Sequence, residues 1–144
     1  MPEEAKRPVR KTPVDIYRKT EVVTANRETI LLMMYAGAIR FLKGAIEAAE
    51  KGEIEEHCRL TTRTLDIVTE LRATLNFEIG GDIAEQLDLL YAYVTQRLFK
   101  ATAEKQVAPL KEALNILNTL NSAWEGAIAS LKKEKEKEPT PAAP

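Results

Sequence analysis

Four segments of the 144-residue chain repeat their apolar residues every three or four positions, and only short polar corners separate them. That period lines side chains along one face of an α-helix. The first segment follows Asn26, a residue suited to capping a helix N-terminus. It carries Leu31, Met34, Ala38, Phe41, Ala45 and Ala49 and stops near Gly52, a natural C-terminal glycine. The second runs from about Glu53 to Leu75, with Ile54, Cys58, Leu65, Val68 and Leu75 on one side. The third follows Asp82, placed as an N-cap, with Ile83, Leu87, Leu90, Val94, Leu98 and Ala101 as its stripe. The fourth begins near Pro109, tolerated in a first helical turn, and carries Leu110, Leu114, Leu117, Trp124, Ile128 and Leu131. No stretch alternates with period two for long enough to suggest a sheet. Short connections between long helices favour antiparallel neighbours. The expected fold is all-α, an antiparallel up-down four-helix bundle over residues 14–131, with a short extra N-terminal helix or arm between Pro13 and Val23. Residues 1–13 read as a disordered, charged tail. Residues 132–144, KKEKEKEPTPAAP, read as a charged and Pro-rich C-terminal tail, whose charged part is able to prolong a helix.

Composition narrows the function classes. Charged residues make up 30% of the chain and balance to a net −1, which supplies no basic face for nucleic acid. A single cysteine, Cys58, forms no internal disulfide framework and suits a reducing compartment. The first residues, MPEEAKRPVRKTP, lack the apolar core of a secretory signal. The apolar run Ile30 to Ile39 ends at Arg40, short of the ~20 residues a membrane span needs. The expectation is a cytoplasmic protein with no membrane insertion.

The helices carry more apolar surface than a minimal bundle needs. The first has a second stripe of Ile30, Leu32, Tyr35, Ile39, Leu42 and Ile46. The second adds Leu60, Ile67 and Leu71, and the third adds Leu89 and Tyr93. A helix apolar around most of its girth is central or is covered by something else. Either a wide core with scattered surface residues, or a cover from the terminal arms or a partner, accounts for this.

Nothing assembles into a catalytic or metal site. His57 is the only histidine, and position 54, three before it, is Ile54 rather than the Glu of a di-iron motif. His57 reads as a solvated residue near a helix start. As an exposed helix histidine it also admits an alternative, a histidine phosphotransfer-type signalling bundle, although Cys-Arg-Leu-Thr-Thr follows it. Cys58, beside it, is poorly oriented for proton transfer and reads as buried and inert. Gly80-Gly81 lacks the Lys and Ser/Thr of a phosphate-binding loop and reads as a corner. The chain is expected to be no enzyme, with no cofactor and no metal. A bundle that self-associates through its extra stripes is a further alternative.

Three stretches resemble the flagellar export chaperone FliS family. LNFEIGGDIAEQLDLLYAYVTQRL, residues 75–98, resembles its Gly-Gly corner followed by Leu-Tyr-x-Tyr-x-x-x-Arg-Leu. YRKTEVVTANRETILLMMYAGAIRFLKGA, from Tyr17, resembles its N-terminal signature, and SAWEGAI at Ser122–Ile128 its late Trp-containing helix. The family commonly has Ser/Thr-Pro where this chain has Asn26-Arg27, Asp where it has Ala36, and Asn where it has Gln86. The resemblance implies a helical bundle that holds the C-terminal segment of flagellin and delivers it to the export gate protein FlhA. It assigns the extra stripes to flagellin, with Leu32, Tyr35, Ile39, Leu71, Leu89 and Tyr93 as groove residues. It implies Val14 and Tyr17, on the N-terminal arm, as residues that dock on FlhA. An amphipathic segment laid in such a groove must offset an ordering cost of about 2–5 kcal/mol. At about 25 cal/mol per Å² of apolar burial, that requires a long contact.

Overall fold

Polar caps and left-handed residues divide the chain into helices close to where the sequence places its corners. The computed structural model describes residues 27–137. The expected N-terminal tail, the arm with Val14 and Tyr17, the Asn26 cap and residues 138–144 lie outside the described residues. Helix α1 spans Arg27–Glu50, α2 Ile54–Ala73, α3 Phe77–Glu104 and α4 Ala108–Lys137. The described residues contain no strand. Each connection is three residues long. The packing below is that of Leu31 onward.

The corners explain themselves locally. At the end of α1, Gly52 takes φ +73°. The Gly52 N–H donates to Ala49 O and the Glu53 N–H to Ala48 O, the paired bonds of a Schellman turn. At the end of α3, Lys105 adopts the left-handed region, φ 54° and ψ 42°, and its N–H returns to Ala101 O. The start of α3 differs from expectation. Asn76, not Asp82, caps it, with its side chain accepting from the Ile79 N–H at 3.0 Å. Gly81 then leaves helical geometry at φ 50°, ψ −123°, where a side chain would be strained. The sequence signal at Asp82 therefore marks the resumption of α3 after a break. Helix α4 continues past Leu131 to Lys137, so the charged segment prolongs it, with residues 131–136 exposed.

The core joins all four helices. Tyr35, Leu42, Val68, Leu71, Val94, Leu98, Leu110 and Leu117 are among its fully covered residues. Each large aliphatic side chain buried this way contributes about 1.5–3 kcal/mol. Helix α3 packs along both α2 and α4. Helix α1 touches the other three. A Cβ at Gly37 would stand 3.5 Å from Ile67 of α2, and one at Gly44 would stand 2.9 Å from Leu60 Cδ1. Tyr35 meets Tyr91 of α3 through their hydroxyls, and Trp124 Nε1 of α4 donates to Tyr35 Oη at 3.2 Å. Glu50 stands 3.8 Å from Lys111 of α4.

Of the two readings of the extra stripe on α1, these contacts favour the wide core. Tyr35, Ile39, Leu42 and Ile46 are buried, as are Ala38 and Ala45 of the other stripe. Two neighbouring stripes merge into one wide core face because three helices cover α1. By length and composition alone α1 is also long and apolar enough to span a membrane, despite Arg40 and Lys43, a test that core helices pass as well. Its buried face is that of a core helix.

Candidate partner-binding surface

Helix α3 presents two faces of opposite fate. Its inner face carries the buried Ala84, Tyr91, Val94, Leu98 and Ala101. Its outer face carries Ile83, Gln86, Leu90, Tyr93 and Arg97, alternately three and four positions apart, the spacing of a helix-pairing seam. Ile83 is 66% exposed, Leu90 37%, Tyr93 42%, and the Arg97 side chain 18%. Leu89, beside it, is 70% exposed. The expected α3 stripe placed Ile83 and Leu90 inside, so these two are a correction. The buried face runs instead through Ala84, Tyr91 and Val94.

Of the six expected groove residues, Leu89 and Tyr93 reach the surface and Leu32 is half-buried. Tyr35, Ile39 and Leu71 are core residues and line no open groove. Their hydrophobicity is used by the bundle itself, through the contacts of α1 and α2 described above. Burial also pushes the Tyr35 and Tyr91 phenols above their ordinary pKa, so both stay protonated and hydrogen-bonding.

Polar pairs border the seam. On the α2 side, Arg72 grips Asp88 with Nε at 2.5 Å and Nη2 at 3.3 Å, which holds the Asp88 carboxyl below its usual range. On the α4 side, the Tyr93 hydroxyl donates to Glu112 Oε2 at 2.8 Å, and that carboxylate raises the phenol's pKa. Arg97 stacks over the Tyr93 ring with its guanidinium carbon 5.2 Å from the centroid. Arg97 enters the sequence reading only as the Arg of the Leu-Tyr-x-Tyr-x-x-x-Arg-Leu run, with no role given to it, and Glu112 is not named there. The Tyr93–Arg97 spacing of one helical turn was the available signal.

His57 corrects a second expectation. It is 2% exposed, and its Nε2 has no partner among the described residues. With Ala49, Gly52, Glu53, Ile54 and Lys105 it lines a cavity of about 190 Å³ where the α1–α2 corner meets the end of α3. Loss of water lowers its pKa and favours the neutral ring. A buried ring nitrogen is closed to a phosphodonor, which removes the observation on which the phosphotransfer alternative rested. Cys58, expected to be buried, is half-exposed beside Arg59 and Thr62 on the outer face of α2.

The family model described as flagellar protein FliS matches residues 10–131. The chain belongs to the FliS family. It is 31% identical over 106 residues to the flagellar secretion chaperone FliS of Vibrio cholerae, covering 74% of this chain and 78% of that relative. It is 28% identical over 123 residues to the flagellar secretion chaperone FliS of Bacillus subtilis, covering 85% and 91%. With flagellar secretion chaperone FliSB of Pseudomonas aeruginosa the identity is 31% over 108 residues, covering 75% and 86%. The FliS match takes in the whole seam on α3, both buried tyrosines and Trp124.

Proposed function

We propose that this chain is a flagellar secretion chaperone that binds the C-terminal segment of flagellin in the cytoplasm. It keeps that segment from premature polymerisation and delivers it to the export gate protein FlhA. It does so as a binding protein, without catalysis, cofactor, metal, nucleic acid or membrane insertion. The observation that carries this reading is the exposed apolar seam of α3 in a chain of the FliS family. Relatives named as flagellar secretion chaperones support it. A charged, soluble-looking surface gains nothing from Ile83, Leu89 and Leu90 in water, whereas an amphipathic segment covers them. The flagellin surface therefore includes Leu89 and Tyr93 from the six sequence candidates, with Leu32 at its margin and Ile83 and Leu90 added.

The bundle is up-down with antiparallel neighbours. Supporting this, Gly37 lies by Ile67 and Gly44 by Leu60, while Tyr35 pairs with Trp124 and Glu50 with Lys111, so numbers rise on one helix as they fall on the other. Val14 and Tyr17, outside the described residues, form the docking arm for FlhA.

Co-purification tests the reading. Full-length flagellin should be retained by the chain, and flagellin lacking its C-terminal segment should not. Equal retention of both would remove the assigned segment, and retention of neither would remove the function. For the arm, Tyr17→Ala should keep flagellin bound and weaken capture of the loaded complex by FlhA.

A further inference from the structure

The arginines of this bundle are not equally occupied. Arg72 makes two hydrogen bonds to Asp88, and Arg59 makes two to Glu56, with Nε at 3.0 Å and Nη2 at 2.5 Å. Arg97 is more buried than either, with side-chain exposure of 18% against 44% and 55%. Yet its nearest carboxylate oxygen, Glu112 Oε2, is 3.8 Å from Nη1, and that oxygen already accepts the Tyr93 hydroxyl. The Arg97 Nε–H is buried with no acceptor among the described residues. A guanidinium offers five N–H donors in a rigid fork matched to a carboxylate. A buried donor left without an acceptor destabilises the free protein. An acceptor from outside the chain is able to satisfy it.

Position says where. Arg97 ends the seam that begins at Ile83 and passes through Leu90 and Tyr93. Only the Tyr93 ring separates it from the apolar part. A helix laid along the seam reaches Arg97 last, after its apolar residues have covered Ile83 and Leu90. Resting on the function proposed above, we infer that Arg97 is the polar anchor of the flagellin-binding surface and that it receives a carboxylate side chain of the docked segment. Tyr93 and Glu112 form its cover in the free state. Docking turns the Tyr93 ring aside and replaces the distant Glu112 with a carboxylate in fork geometry. The apolar seam supplies contact, and Arg97 fixes register along it, since a shifted segment would leave both charges unpaired.

The test is titration calorimetry of recombinant flagellin into the wild-type chain and into Arg97→Met and Arg97→Lys, with melting of each free protein. Arg97→Met should weaken binding about ten- to a hundredfold, the scale of a hydrogen bond to a charged group. The free melting temperature should stay unchanged or rise, because the variant removes an unsatisfied buried donor. Arg97→Lys keeps charge and loses the fork, so its affinity should lie between the two. It also serves as the readout if Arg97→Met fails to fold. Exchanging the acidic residues of the flagellin segment to amides, one at a time, should identify one exchange that weakens the wild-type complex, weakens the Arg97→Lys complex less and costs nothing further in Arg97→Met. Unimpaired binding by both Arg97 variants overturns the anchor alone. Matching losses of affinity and free-state stability also overturn it, in favour of a structural role. Absence of binding by the wild-type chain removes the function reading and the anchor with it.

Discussion

Tyr91 and Tyr93 stand two residues apart on one helix and belong to different environments. Tyr91 is 1% exposed and hydrogen-bonds Tyr35 in the middle of the bundle. Tyr93 is 42% exposed and bonds a surface carboxylate. Their separation on the helix, about 200° at 3.6 residues per turn, puts them on opposite sides. The contrast extends to the faces they represent. On the inner face a hydroxyl is tolerated only with a partner, because an unpaired polar group there is costly. On the outer face apolar side chains are tolerated without one, since soluble proteins expose such residues singly. A cluster such as Ile83, Leu89, Leu90 and Tyr93, however, calls for a partner. The teaching is that apolar periodicity measures how much of a helix is covered over its working life, and burial in the free chain measures only the part the bundle covers.

The sharpest way to break this comparison is to place the same charge on each face. Val94→Asp should destabilise the chain by about 4 kcal/mol or more, through lost burial and an unpaired buried charge. Leu89→Asp, five residues earlier, should change stability by no more than about 0.5 kcal/mol while weakening flagellin binding. Urea unfolding of both with a binding assay on Leu89→Asp decides it. Equal stability losses would show that the outer face is core after all.

A gentler change sharpens the inner face. Tyr91→Phe removes one hydroxyl from the Tyr35–Tyr91–Trp124 group and should cost about 1–2 kcal/mol. Thermal melting reads this directly. No change in melting would mean that the hydroxyls are satisfied by water instead.

His57 extends the comparison to a titrating group. Its folded pKa lies below the ordinary value of 6.5 because burial disfavours the imidazolium. The unfolded chain therefore binds the proton more readily. This contribution to stability is complete above pH 6.5 and is lost as pH falls through the folded value. Glu53 and Lys105 also border the cavity, on opposite sides of the charge balance. Unfolding midpoints at pH 7.5 and 5 should differ more in the wild-type chain than in His57→Gln. Parallel pH profiles would show that the imidazole does not titrate on folding.

The smallest effect belongs to the end of α4. Deleting residues 132–144 should alter stability by no more than about 0.5 kcal/mol, because Lys132–Glu136 are exposed. A larger loss in differential scanning calorimetry would mean that the tail docks.

The helices were legible where local chemistry decides. Gly52 ends α1 because the left-handed turn there favours glycine, and Pro109 lies in the first turn of α4 because no N–H is required. Asp82 misled by a few residues. Asn76 is an equally good cap, and the backbone break at Gly81 has no signature beyond the glycine pair itself. The site was legible only in part. Leu89 and Tyr93 are offset from the inner stripe and reach the surface. Tyr35 and Ile39 were assigned outward because one helix seen alone does not reveal how many neighbours it has. The closeness of Gly37 and Gly44 to α2 is a tertiary fact. The role of Arg97 was not legible for a related reason: its unsatisfied state depends on where Glu112 of another helix points.

The single tryptophan of the chain, Trp124, sits half-buried where α4 crosses Tyr35, with its indole N–H committed to that phenol. An indole in such a position emits light according to its surroundings, and no other residue of its kind dilutes the signal. Any event that lifts the distal half of α4 from α1 and α3 should move that emission to longer wavelength as water reaches the ring. The molecule thus carries its own optical gauge of whether cargo loading loosens the bundle or leaves it closed.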